Sequence, residues 1–149
     1  MITCKFENND NALLRHVTVD CLVLREGKIL LAKRSDQLLE GNKWSLIGGF
    51  VERDESLIQA AEREIMEETG WKSKNIKLLR IKDSPNRPKE DRQNISFVYI
   101  CDAVEKIGEK DAESNATEWF DLTNLPHKED FAFDHFDDIE FYLSGSRKP

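Results

Sequence analysis

The chain has 149 residues, 39% of them hydrophobic, enough for one domain that buries roughly two-thirds of its unfolded surface without disulfide staples. Its 29 acidic against 22 basic side chains leave a net charge of −7, which excludes nonspecific duplex binding through a basic stripe. An anionic small molecule is still compatible, because a bound cation reverses the local field.

In chain order, His16 to Leu24 is rich in Val, Leu and Thr and predicts a strand. Glu26-Gly27 turns it into a second strand, Lys28 to Arg34, as an antiparallel hairpin. Asp36 to Lys43 reads as a polar loop before a short segment, Trp44 to Ile47, that Gly48-Gly49 breaks. Residues 56–69 carry the strongest helical pattern, with Leu57, Ala61 and Ile65 at i, i+4 and i+8. Ser56 and Gln59 predict a capping box, and Gly70 the C-terminal stop. Strands follow at Ile76 to Ile81 and Ile95 to Val104, the latter apolar on both faces as a central strand should be. Between them, 83–93 is a basic loop. Glu118 to Leu122 predicts a short strand, Leu125-Pro126 a turn, and Asp134 to Leu143 a last helix capped by Asp134. Strands interleaved with two helices give a mixed α/β layer architecture, one domain over 1–149.

Cys4, Cys21 and Cys101 form no Cys-x-x-Cys pair and read as reduced, mostly buried thiols. Apolar runs such as Ile29 to Ala32 fall far short of the ~20 residues that span a bilayer. Lys5, Glu7 and Asp10 leave no signal-peptide core, so the expected compartment is the cytoplasm, with no membrane partner.

The chemistry concentrates between Gly49 and Trp71, where seven acids face two arginines. On a helix Glu64, Glu67 and Glu68 stand at i, i+3 and i+4 and share one face, a spacing at which like charges repel. A divalent cation would neutralise them, and an all-oxygen donor set favours Mg²⁺ or Mn²⁺ over Zn²⁺. Carboxylate spacing alone more often describes a solvated acidic face.

The segment resembles the signature of the Nudix hydrolases, G-x5-E-x7-R-E-U-x-E-E-x-G-U, where U is a bulky apolar residue. Gly49, Glu55, Arg63, Glu64, Ile65, Glu67, Glu68 and Gly70 all fall in register. Trp71 fills the last apolar position, where aliphatics are usual, and Ile47 stands where many relatives have Pro. The flanking strand order extends the resemblance over 16–143. It implies an α/β/α sandwich, a mixed sheet between helices, and Mg²⁺- or Mn²⁺-dependent hydrolysis of a nucleoside diphosphate linked to another moiety. It further implies Glu67 and Glu68 as principal metal ligands, Glu64 as a further ligand or the base, and the Gly48 carbonyl as another oxygen. Glu55 and Arg63 would pair to orient the helix face, and Gly49 would let the backbone turn beside the metal.

Outside the box the readings divide. Glu113 loosely matches a distal glutamate that some relatives use as base or ligand; it also reads as an exposed loop residue. Arg87, Lys89 and Arg92 suit phosphates or an ordinary solvated loop. Trp44 and Trp119 read as packing residues, and His16 and His127 as structural. Phe131 to His135 is similar to a stretch in the ADP-ribose pyrophosphatase branch, which implies Phe133 stacking on the substrate and Asp134 accepting hydrogen bonds from it; two core phenylalanines and a helix cap describe it too. The expected substrate is ADP-ribose, cleaved to AMP and ribose 5-phosphate, with oxidised nucleoside triphosphates as the competing substrate class. A non-catalytic ADP-ribose-binding regulator is the alternative of another class; such domains usually carry an eroded box and an added DNA-binding domain, for which this chain has no evident room. A homodimer is left open by the sequence.

Overall fold

The computed structural model of the chain describes residues 2–87, 89, 91–108 and 114–145. Its first element has no counterpart in the sequence pattern: β1 (Ile2–Lys5) and β2 (Asn11–Leu14) form a small antiparallel hairpin, apart from the main sheet. The polar run 7–11 between two short apolar stretches hid it.

The main sheet is built on β3 (Val17–Arg25). One edge of β3 is shared by β4 (Lys28–Arg34), paired near the hairpin turn, and by β6 (Ile47–Phe50), paired at Thr18 to Cys21. Two-residue β5 (Trp44–Ser45) lies against β4. Helix α1 (Leu57–Thr69) follows, then β7 (Trp71–Lys82), β8 (Ile95–Lys106), β9 (Ser114–Asp121) and α2 (His135–Leu143). β8 runs parallel to β3 and antiparallel to β7, so it is an inner strand; β9 pairs with β4. The sheet is therefore mixed.

β7 begins five residues before the expected strand. Its added half, Lys72-Ser73-Lys74-Asn75, is polar because β7 is an edge, where exposed lysines discourage pairing with other chains. β9 likewise begins at Ser114, four residues early.

Alternation along β3 and β8 divides the core. Val19, Cys21 and Val23, with Tyr99 and Cys101, pack against Ala60, Ala61 and Ile65 of α1. Leu22 and Val98 face the other way, toward Ile139 of α2 and Phe131. Each fully buried Leu, Ile or Val contributes about 1.5–3 kcal/mol, so two helices on opposite faces follow from the period of two. The result is the α/β/α sandwich. Burial pushes the Cys101 thiol up to about 12 and Cys21 well up, which keeps both protonated. Among the described residues no helix is long and apolar enough to cross a membrane.

Candidate active site

Helix α1 is held by its own sequence. Gln59 N–H donates to Ser56 Oγ at 3.3 Å and Ser56 N–H to Gln59 Oε1 at 2.8 Å, closing the capping box. At the other end Gly70 takes the left-handed conformation (φ 71°) and returns its N–H to Met66. Trp71 then packs edge-on to Trp119, ring centres 5.6 Å apart, so the aromatic at the end of the box is a packing residue.

Arg63 organises the acidic face. Its Nε and Nη2 donate to Glu55 at 3.0 and 2.8 Å, and Nη2 also reaches the Phe50 carbonyl at 3.0 Å. Its Nη1 donates to Glu64 at 2.9 Å and to Glu67 at 3.0 Å. The guanidinium, by its hydrogen bonds to Glu55, holds that carboxyl below its ordinary pKa. The loop strand β6 closes on the same face. Gly48 N–H donates to Glu68 Oε1 at 3.3 Å, and a Cβ on Gly49 would lie 2.4 Å from Glu64 Oε1. A Cβ on Gly48 would stand 2.0 Å from the Val19 carbonyl, so the sheet pairing itself requires that glycine.

The residues fit a hard divalent cation: the donors are carboxylates and backbone oxygens, and the glycine cradle leaves the Glu64 carboxylate room. Among the described residues no three acidic, histidine or cysteine side chains already converge as a metal cage; Arg63 is the cation between Glu64 and Glu67.

These glutamates line one side of a cleft of about 480 Å³, and Arg87, Arg92, Phe133 and His135 line it too. Arg15, two residues ahead of β3, ties both ends of the loop 83–93, whose three basic residues are matched by three acids: its guanidinium donates to the carbonyls of Asp83, Gln93 and Asn94. Lys89 pairs with Glu40 at 2.9 Å, joining this loop to 35–43. Phe133 sits at φ 53°, an unusual conformation for a bulky residue, with the guanidinium carbons of Arg34 and Arg87 each 5.0 Å from its ring centre. Arg92 lies 5.5 Å over Phe50.

Asp134 departs from expectation. It occupies the N-cap position of α2 but makes no side-chain cap; Lys82 at 2.7 Å and Arg87 at 2.9 Å take its carboxylate instead. Buried ion pairs outcompete a cap. Burial opposes its ionisation, and those two cations outweigh it, bringing Asp134 down to about 2. It lines a smaller adjoining cavity of about 190 Å³ rather than the main cleft. Glu113 lies outside the described residues.

Three cleft residues had no functional reading in the sequence. Thr18, Asp20 and His135 are only 6%, 7% and 5% exposed. Ser96 Oγ donates to Asp20 Oδ2, and His135 Nε2 lies 3.6 Å from Asp20 Oδ1 and 2.9 Å from Arg87 Nη2. Asp138 of α2, fully buried, is paired with Arg80 and Lys82. A charged residue inside the apolar run 17–24 was the available signal for Asp20.

Burial, with the fields of Arg87 and Lys82, lowers His135 to about 4 against the opposing pull of Asp20. The folded protein therefore keeps this imidazole neutral where the unfolded chain, near 6.5, takes up a proton. Stability from this group is full above pH 6.5 and falls as pH drops toward 4, by about 3 kcal/mol over the window. Melting temperature measured across pH 7 to 4 should fall more steeply in the wild type than in His135→Gln; parallel curves would remove this group from the pH response.

The NUDIX domain family model matches residues 14–139. The chain is 39% identical over 127 residues to the ADP-ribose pyrophosphatase of Methanocaldococcus jannaschii, a match covering 85% of this chain and 72% of that protein. Its fold is similar to a NUDIX hydrolase from Nitrosomonas europaea (TM-score 0.77, 24% identity, covering 91% of this chain and 93% of the other). It is also similar to the NUDIX domain of Shewanella oneidensis NrtR, solved in complex with ADP ribose (TM-score 0.72, 25% identity, 89% of each chain).

Proposed function

Because this chain belongs to the Nudix family and is a Nudix pyrophosphohydrolase, we propose that its substrate is ADP-ribose, hydrolysed to AMP and ribose 5-phosphate with Mg²⁺ or Mn²⁺. The observation that carries the reading is the meeting of the glutamate face with Arg87, Arg92 and Phe133 in one cleft. The name of the Methanocaldococcus jannaschii relative, at 39% identity, supports the choice among diphosphates.

Glu67 and Glu68 are the principal ligands of the cation, with Glu64 a further ligand or the base and the Gly48 carbonyl a further oxygen. Bound there, the cation supplies charge neutralisation for a diphosphate that otherwise repels its nucleophile. Arg63, fixed by Glu55 and the Phe50 carbonyl, keeps Glu64 and Glu67 turned to one side of the helix. Arg87 and Arg92 offer positive charge to the phosphates from the opposite loop, and Phe133 or Phe50 an aromatic face to the base. In the hydrolysis a water oxygen bonds to one phosphorus and the bridging P–O bond breaks. The water's proton passes to a carboxylate, a role we assign to Glu64 on the Arg63-ordered face. The cytoplasm is the compartment that suits its unpaired thiols.

The test is product identification. ADP-ribose with Mg²⁺ should yield AMP and ribose 5-phosphate in equal amounts. Tight binding of ADP-ribose without turnover under these conditions would instead make the chain an ADP-ribose-binding regulator.

A further inference from the structure

Arg87 belongs to a loop, yet its side chain is only 8% exposed, and two successive residues just ahead of α2 meet its guanidinium. Asp134 Oδ1 accepts from Nε at 2.9 Å, and the Phe133 ring centre lies 5.0 Å from the guanidinium carbon. His135 stands at the tip, with Nε2 2.9 Å from Nη2. Successive side chains of a regular strand point to opposite sides. Here the backbone kinks at Phe133, whose φ of 53° is costly for a bulky residue. Such strain persists where the surroundings over-determine it, and it clusters at ligand clamps.

Asp134 is anchored in turn. Its carboxylate also takes Lys82 Nζ at 2.7 Å, Lys82 reaches Asp138 at 2.9 Å, and Asp138, fully buried, pairs with Arg80. Alternating charges thus run from between β7 and α2 to Arg87. The two cavities tell the ends of this chain apart. Arg87 lines both the main cleft and the smaller adjoining cavity, whereas Asp134 lines the smaller one. Seen from the cleft, Asp134 stands behind Arg87. Its carboxyl, brought down to about 2, stays ionised near neutral pH and would repel a phosphate that came close.

A guanidinium fork matches phosphate oxygens, and one already ordered loses less rotamer freedom when a ligand arrives. We infer that Asp134 is a positioning residue: it holds the Arg87 guanidinium in place for the diphosphate of the substrate and does not itself touch that substrate. The inference rests on the reading of the cleft as a nucleoside diphosphate site. It replaces the expected hydrogen bonds from substrate to Asp134.

Calorimetry in the presence of Mg²⁺ tests it. The ligands are adenosine and α,β-methylene ADP, whose P–C–P bridge is not hydrolysed; the ratio of their affinities isolates what the diphosphate adds. Asp134→Asn keeps the side chain's shape and leaves Lys82 its partner Asp138. It should weaken the methylene analogue about tenfold and leave adenosine unchanged. In an Arg87→Ala background the same substitution should cost nothing further, because the group it acts through is gone. A direct contact with the ligand would keep its full cost in that background, and a merely structural role would lower the melting temperature with the affinity ratio unchanged. Either result overturns the inference. Asp134→Glu guards against misfolding: it preserves the charge beside Lys82 but displaces the acceptor for Nε, so melting should stay near wild type while the ratio falls. A wild type that binds the analogue no better than adenosine also overturns the positioning role. The expected ratios with no hydrolysis of ADP-ribose would keep that role and reject the proposed function.

Discussion

Glu67→Gln and Glu68→Gln should each lower kcat by more than the roughly 10- to 100-fold that loss of an outer-sphere partner costs, while the protein remains folded. Glutamine preserves the side chain's volume and removes its charge. Glu67 is half-exposed, Glu68 accepts the Gly48 N–H at 3.3 Å, and both line the cleft rather than the apolar core, so neither substitution opens that core. If Glu64 is the base, Glu64→Gln costs about 10²–10⁴ in rate. Glu64 carries an added burden, because Arg63 Nη1 bridges it to Glu67, and its replacement also loosens the face. Circular dichroism and melting curves beside the steady-state kinetics separate chemistry from unfolding. Wild-type kinetics in Glu67→Gln and Glu68→Gln would refute the assignment of this face to the cation.

Chelation should abolish turnover altogether, and added Mg²⁺ or Mn²⁺ should restore it. The carboxylates on α1 outnumber Arg63, so the face that carries the chemistry is negative toward an anionic substrate, while Arg34, Arg87 and Arg92 line the rest of the cleft. Without a cation, a diphosphate must approach against that field. Full turnover in excess chelator, with a verified substrate, would contradict the mechanism rather than one residue's role in it.

Much of this was legible in local sequence. Ser56, Gln59 and Gly70 mark both ends of α1 through hydrogen bonds that span no more than four residues, and the structure has each of them. Val, Leu and Thr enrichment and the Glu26-Gly27 turn placed β3 and β4 to within a residue, because both faces of these strands are covered and their apolar runs are nearly continuous. What escaped depends on distant partners. Asp134 has the residue type of an N-cap, yet Lys82 and Arg87, some fifty residues earlier, claim its carboxylate. The first half of β7 is polar because it is an edge, a property of the assembled sheet rather than of residues 71–75. His135 reads in sequence as one more helix-start residue. Only the folding of α2 against β3 brings it to Asp20 and the Leu46 amide.

The most direct measurement is kcat/KM for ADP-ribose, NADH, 8-oxo-dGTP and the ordinary nucleoside triphosphates under one set of conditions with excess Mg²⁺. The account predicts that ADP-ribose leads. Arg87 and Arg92 would welcome any of these phosphates, so the preference must come from the remainder of the cleft. An 8-oxo-dGTP value tenfold or more above that for ADP-ribose, about 1.4 kcal/mol of transition-state preference, would contradict it.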